Sequence, residues 1–263
     1  MLKLKEVKHL KELLLDLGKE VEDIKNKKVN YVNKEDGSPI SEADSLVNSQ
    51  LNNFTLSTDF KNVISEENNE IPYNIRKKWD YFWIIDPIDG TKEYINKGID
   101  YTINIALCKK KFPIFSVVYA PAIEEFYLAK LNEGVLLNNK KIKNKKTKNI
   151  KSIKAYVSKS HMNKETEKFI QKLALKYDVT TECMGSSLKI CKIAKGDAHI
   201  YPRLSSTMEW DVCAAHLVLH ESGGFIKNMH SNDITYNNKS LVFGPYIASS
   251  NLNFEKELNV IKN

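Results

Sequence analysis

A chain of 263 residues, 42% hydrophobic and 28% charged, can bury a sizeable core as one large domain or two lobes. Its net charge of +7 comes largely from lysines set among asparagines, as in Asn138-Asn139-Lys140-Lys141 and Lys143-Asn144-Lys145-Lys146, and reads as a solvated basic face. With no zinc-finger spacing and no aromatic RNA-binding signature beside it, nucleic acid is not an expected partner.

The four cysteines, Cys108, Cys183, Cys191 and Cys213, form no C-x-x-C pair, which argues against a zinc site or disulfide framework and for free thiols in a reducing compartment. The N-terminus carries no signal-peptide core, and no stretch approaches the roughly 20 apolar residues of a spanning helix. The expected setting is the cytoplasm, with peripheral contact of the Lys-rich face at the inner side of a membrane left open.

Apolar residues recur every three or four positions from Leu4 through Leu10, Leu14, Leu17 and Val21 to Ile24, which predicts an amphipathic helix ended by the basic run 25–28. A short strand is expected over 29–32, then a turn-rich loop over 34–39. Ser41, followed three residues later by Asp44, has the spacing of a helix cap. Asp44 is therefore either only a cap or a group that faces the site and orients a water.

Residues 63–65 read as a strand that ends in two acids, Glu66 and Glu67. Residues 81–85 form an apolar run, Tyr-Phe-Trp-Ile-Ile, typical of a buried strand. The run is expected to stop at Asp86-Pro87, because proline cannot continue a central strand. Asp89-Gly90 then marks a turn. Two carboxylates thus emerge past a strand end, where layered α/β folds place ligands. Gly90 lets backbone approach an anion closely, and Thr91 offers a hydroxyl and the start of a short helix. Carboxylates and phosphate repel unless a cation lies between them, so the pattern points to a divalent metal site that holds a phosphate. If the two strands are neighbours, Glu66 adds a third carboxylate.

Strands are predicted over 101–107, 114–119 and 125–129, and an exposed loop or edge hairpin over 138–149. A lobe boundary near 148–152 divides the chain into 1–150 and 151–263. The second half opens with a strand at 155–157 leading to Ser158-Lys159-Ser160-His161. A helix over 163–176 and a strand over 179–184 follow, then the turn Gly185-Ser186-Ser187. A helix from Leu188 closes at Gly196. The strand 198–203 delivers Tyr201 and Arg203 to a rim. Glu209-Trp210-Asp211 opens a long apolar helix that ends at Gly223-Gly224; an acid there is either a dipole-friendly cap or a ligand. Short strands and a tail complete the chain.

Ser65-Glu66-Glu67, Asp86-Pro87-Ile88-Asp89-Gly90-Thr91 and Trp210-Asp211, in this order, resemble the motifs of the lithium-sensitive, magnesium-dependent phosphomonoesterases of the inositol monophosphatase superfamily. The resemblance runs from Asp36 to Gly224. Seven further stretches, at 36–39, 89–93, 101–107, 118–121, 158–161, 185–189 and 201–203, are similar to the 3′(2′),5′-bisphosphate nucleotidase branch. The implied fold is an alternating α-β-α-β-α sandwich of the kind shared with fructose-1,6-bisphosphatase.

The resemblance also implies roles. Glu66, Asp86 and the Ile88 carbonyl would hold one magnesium; Asp86, Asp89 and Asp211 a second. Two or three ions per site are expected, with manganese able to substitute, and hard oxygen ligands suit both. Gly90 and Thr91 would hold the phosphate, with Glu66, Ile88, Asp89 and Asp211 also lining it. Thr91, polarised by Asp44 or Glu67, would orient the attacking water. Ser41 stands where threonine is usual, and Cys213 where a small residue is common. The implied substrate is adenosine 3′,5′-bisphosphate, giving AMP and phosphate, with the sulfated analogue as a further possibility. Its second phosphate needs a cationic pocket, for which Lys189 and Arg203 are candidates. Ser186 would add a hydroxyl, and His161 and Tyr201 would border the nucleoside. No nicotinamide, flavin or nucleoside triphosphate is required, and the protein is expected as a monomer or homodimer. The competing readings are an inositol- or sugar-phosphate phosphatase of the same fold and a non-catalytic nucleic-acid binder.

Overall fold

In the computed structural model, residues 2–144, 151–159 and 162–250 are described. Two sheets carry the architecture. The larger has seven strands in chain order: Val63–Ser65, Tyr81–Asp89, Thr102–Lys109, Phe112–Ala120, Glu125–Lys130, Gly134–Leu137 and Lys140–Ile142. Its first pair is parallel and the rest is an antiparallel meander. The smaller sheet has five strands in the order Asp178–Met184, Ser152–Ser158, Ile200–Arg203, Tyr246–Ser249 and Phe225–Asn228.

Helices fill the layers between and outside the sheets. The helices Leu4–Asn26 and Glu42–Ser57 cover one face of the large sheet, where Leu10, Leu14, Val47 and Leu51 meet Trp83, Ile85, Ile103 and Ile105. The opposite face, with Phe82, Ile84 and Ala106, packs on the helices Leu188–Lys195 and Trp210–Ser222, which in turn meet Tyr156, Ile226 and Ala248 of the small sheet. The helix Lys164–Ala174 closes the outer side through Phe169 and Leu173. The layers therefore run α-β-α-β-α, as expected. Because both faces of the central strand are covered, its apolar residues run without polar alternation. The middle layer joins both halves of the chain in one apolar cluster, while residues 148–150 of the expected boundary lie outside the described residues.

Proline does not end the strand of the metal motif. The strand continues through Pro87 to Asp89, with a register shift between Asp86 and Asp89. A bulge needs no ladder N–H at the displaced position, so proline is tolerated there. The basic segment after residue 133 is an edge hairpin, turning at Asn138 and Asn139 with φ of 47° and 67°. Asparagine tolerates that left-handed backbone, which suits two-residue hairpin turns. Among the described residues no helix is long and apolar enough to cross a membrane.

Candidate active site

The bulge in Tyr81–Asp89 aims two carboxylates into a cavity of about 230 Å³. Glu66, Asp86, Asp89 and Asp211 all line it, as do Ile88, Gly90, Thr91, Ser186, Lys189, Tyr201 and Arg203. Glu66 arrives from the neighbouring parallel strand, its N–H bonded to Ile85 O at 3.2 Å. Asp211 arrives from the first turn of Trp210–Ser222.

Asp86 is 1% exposed, and neither carboxylate oxygen has a hydrogen-bond partner. Burial pushes its pKa well above the usual range, with further upward pressure from Glu66, Asp89, Asp211 and Asp44. Burial likewise raises Glu66 to about 7, against the opposing Lys34 ammonium, with Asp211 and Glu67 adding to the rise. Asp89 also rises to about 7, from burial and the Asp211 charge. Each of these three carboxyls is thus held up by burial and by its neighbours' negative charge.

The other acids are engaged by protein donors. Glu66 and Glu67 accept from Lys34 Nζ at 3.1 and 2.6 Å. Asp89 accepts from the Ser187 N–H and, at 3.4 Å, from Asn104. Asp211 accepts from the Met208 N–H at 3.0 Å and from the Thr207 hydroxyl. As placed, no three His, Cys, Asp or Glu side chains among the described residues converge tightly enough to hold an ion. The expected cage is therefore a ring of acids around a cavity. Asp86 alone of the four offers two unengaged buried oxygens, and that orphaned pair, with hard oxygen donors facing it, fits a divalent cation.

Thr91 opens the short helix Thr91–Ile95 behind Gly90, whose φ is 90°. Its hydroxyl donates to Ile88 O at 3.0 Å and lies 3.3 Å from Asp44 Oδ1. Asp44 is a cap that also reaches Thr91, though, like Glu67, it does not line the cavity. Oδ2 caps the helix by accepting from the Ser41 N–H at 2.8 Å, while Oδ1 faces Thr91. Burial raises its pKa to about 6. Glu67, the other candidate to polarise Thr91, turns to Lys34 and does not line the cavity.

The opposite wall is cationic and aromatic. Lys189 is buried; its ammonium donates to Met184 O and Ser186 O at 3.1 and 2.7 Å and lies 5.0 Å from the Tyr201 ring centroid. Burial lowers its pKa to about 8, partly offset by the Asp89 charge. Arg203 donates to Ser158 Oγ and Ser206 O at 3.4 and 3.3 Å, while its Nε and the Ser205 hydroxyl are buried without partners. Ser186 sits at a φ of 46° in the turn after Gly185, where a Cβ would lie 2.7 Å from Asp100 O. That close approach demands glycine. His161 lies outside the described residues. Tyr246, Ser158 and Ser38 also line the cavity and were not read from the sequence. Tyr246 arrives by antiparallel pairing with Arg203.

A bulged, two-sided central strand that delivers acids to a cavity lined by residues of both sheets and their helices defines a ligand-binding α/β protein. Comparison with known proteins makes this specific. The sequence matches the Inositol monophosphatase family over residues 3–258, and the chain belongs to that family. It is 30% identical over 221 residues to the 3′(2′),5′-bisphosphate nucleotidase CysQ of Salmonella typhimurium, covering 83% of this chain and 88% of that protein. The Haemophilus influenzae protein of the same name is 32% identical over 240 residues, 88% of this chain and 87% of that one. Among solved structures, CysQ from Bacteroides thetaiotaomicron superposes with a TM-score of 0.77 at 29% identity, over 90% of this chain and 94% of that one. A Thermotoga maritima IMPase reaches a TM-score of 0.82 at 20% identity, over 99% and 97% of the two chains, a likeness of fold.

Proposed function

We propose that the chain is a magnesium-dependent phosphomonoesterase that removes the 3′-phosphate of adenosine 3′,5′-bisphosphate, giving AMP and inorganic phosphate. The observation that carries this reading is Asp86: two buried, unpartnered carboxylate oxygens among Glu66, Asp89 and Asp211, on one wall of a cavity whose other wall is cationic. The relatives named CysQ are bisphosphate nucleotidases, and an IMPase/NADP phosphatase of the same fold has been seen with Mg²⁺ and phosphate.

Glu66, Asp86, Asp89, Asp211 and the Ile88 carbonyl would hold the metal. When bound, Mg²⁺ supplies positive charge for the phosphoryl oxygens and lowers the pKa of a water. The protein's own part is positioning. Thr91, held by Ile88 O and Asp44, presents its hydroxyl oxygen to that water. Asp44 and Glu67 remain the two groups able to receive the proton, and the 3.3 Å contact favours Asp44. Arg203, which lines the cavity and whose Nε lacks an acceptor, suits the second phosphate. Lys189 ties down the Ser186 turn while adding charge from behind. Tyr201 and Tyr246, edge to face at 5.9 Å, supply an apolar border for the nucleoside.

The test is phosphate release from adenosine 3′,5′-bisphosphate, inositol 1-phosphate and AMP, each with and without Mg²⁺. The bisphosphate should be preferred, and only with the metal. Preference for the inositol ester would place the enzyme in the other branch of the family.

A further inference from the structure

A second polar network lies beneath the metal site and takes no part in the chemistry above. Arg76 is fully buried at the end of the short helix Tyr73–Arg76. All five of its side-chain N–H groups have acceptors. Nε donates to Ile71 O at 3.1 Å. Nη1 donates to Asn237 Oδ1 at 2.9 Å and to Asn238 O, and Nη2 to Lys239 O at 3.0 Å and Glu70 at 3.3 Å. The Asn237 amide returns a bond to Arg76 O at 2.7 Å. Glu209, also fully buried, then accepts from the backbone N–H groups of Asn237 and Asn238 at 2.5 and 3.0 Å and from Asn238 Nδ2 at 2.9 Å.

The strut links the segments that carry two of the proposed metal ligands. Glu209 is the cap residue of Trp210–Ser222, two positions before Asp211. Arg76 closes the loop that begins with Glu66 and Glu67, whose other end is fixed by the Glu66 N–H on Ile85 O. The connection spans 161 residues between Arg76 and Asn237, so no local element supplies it. Burying a guanidinium and a carboxylate costs free energy unless their hydrogen bonds are satisfied, and here they are: Arg76 by four carbonyl or amide oxygens and the Glu70 carboxylate, Glu209 by backbone and amide N–H groups, with no direct pairing of the two. An apolar pair would fill the space with less desolvation; it would not fix a register.

Resting on the reading of Asp86 and Asp211 as magnesium ligands, we infer that Arg76, Asn237 and Glu209 are positioning residues, holding the Asp211 end of the site at a set distance from the Glu66 loop. The ring of acids then meets a metal without reorganising the helix start. Outer groups that orient ligands typically carry about 10–100-fold of metal affinity.

Thermal denaturation of the full chain across a series of Mg²⁺ concentrations separates this from a merely structural role. The melting temperature without metal reports stability; the Mg²⁺ concentration that gives half the metal-induced rise reports affinity. Arg76→Lys and Glu209→Gln should each raise that midpoint about tenfold. Ser222→Ala, which removes a buried hydrogen bond at the far end of the same helix, should lower the metal-free melting temperature and leave the midpoint unchanged. If the first two variants fail to fold, Asn238→Ala, which removes one donor to Glu209, should still raise it about threefold. A midpoint equal to the wild type's in folded variants at Arg76, Glu209 or Asn238, or one moved equally by Ser222→Ala, would overturn the inference. A wild-type protein that Mg²⁺ does not stabilise at all would instead remove the metal reading, and the strut's purpose with it.

Discussion

The two walls of the cavity are built on different principles. The acidic wall rests on one strand, its parallel neighbour and one helix start, and its key residue is left without partners: Asp86 is buried with both oxygens free. The cationic wall is assembled from Leu188–Lys195 and the small sheet, and its most buried charge is already satisfied, Lys189 by two carbonyls and an aromatic ring. One wall concentrates repelling carboxylates, whereas the other has its most buried charge satisfied and keeps the Arg203 Nε as a donor in need of an acceptor. The acidic wall should therefore govern whether the reaction occurs, and the cationic wall which ester is chosen.

Changes to the acidic wall should break that contrast most severely. Asp86→Asn should lower magnesium-dependent turnover by about a thousandfold or more, since a proposed metal ligand is lost. The same change should raise the melting temperature of the metal-free protein, because a buried, repelled carboxylate is replaced by a neutral amide. Activity and stability moving in opposite directions would be the signature; a fall in both would mean that Asp86 is structural. Thr91→Val keeps the shape and removes the hydroxyl between Ile88 O and Asp44, and should lower kcat by about a hundredfold with little change in KM. On the cationic wall, Arg203→Ala should raise KM for adenosine 3′,5′-bisphosphate about tenfold and leave simple monoesters nearly untouched. Equal losses on both substrates would erase the division of labour.

The smallest effect concerns neither wall. His216 lies buried in the helix that carries Asp211, its Nδ1 2.8 Å from the Tyr236 hydroxyl, and burial lowers its pKa from 6.5 to about 3. A folded-state pKa below the unfolded one means that the stability is present above about 6.5 and lost as pH falls toward 3. From pH 6.5 to 5 this one group should cost about 2 kcal/mol. Urea unfolding across that range should show a shallower decline in His216→Gln; identical slopes would assign the acid sensitivity elsewhere.

Short motifs made the acidic wall legible in the sequence. Glu66, Asp86, Asp89 and Asp211 each follow an apolar strand or open an apolar helix, so local pattern and carboxylate chemistry pointed to them together. The layer order came from the family resemblance rather than from periodicity. Pro87 misled, because the rule against proline in central strands assumes a regular ladder and the bulge between Asp86 and Asp89 suspends it. Tyr246 was out of reach, since only its register with Arg203 brings it to the cavity. The hydrogen bonds that hold Arg76 and Glu209 come from residues 237–239, far along the chain, which carry no local signal. Lys189 was readable as a cation, but not as one already bound by Met184 and Ser186 carbonyls.

The central claim is that the acids around Asp86 bind the cation on which hydrolysis depends. Isothermal titration of Mg²⁺ into the wild-type chain and into Asp86→Asn addresses it directly. The account predicts saturable binding by the wild type and its loss in the variant. Equal binding by both proteins would contradict it.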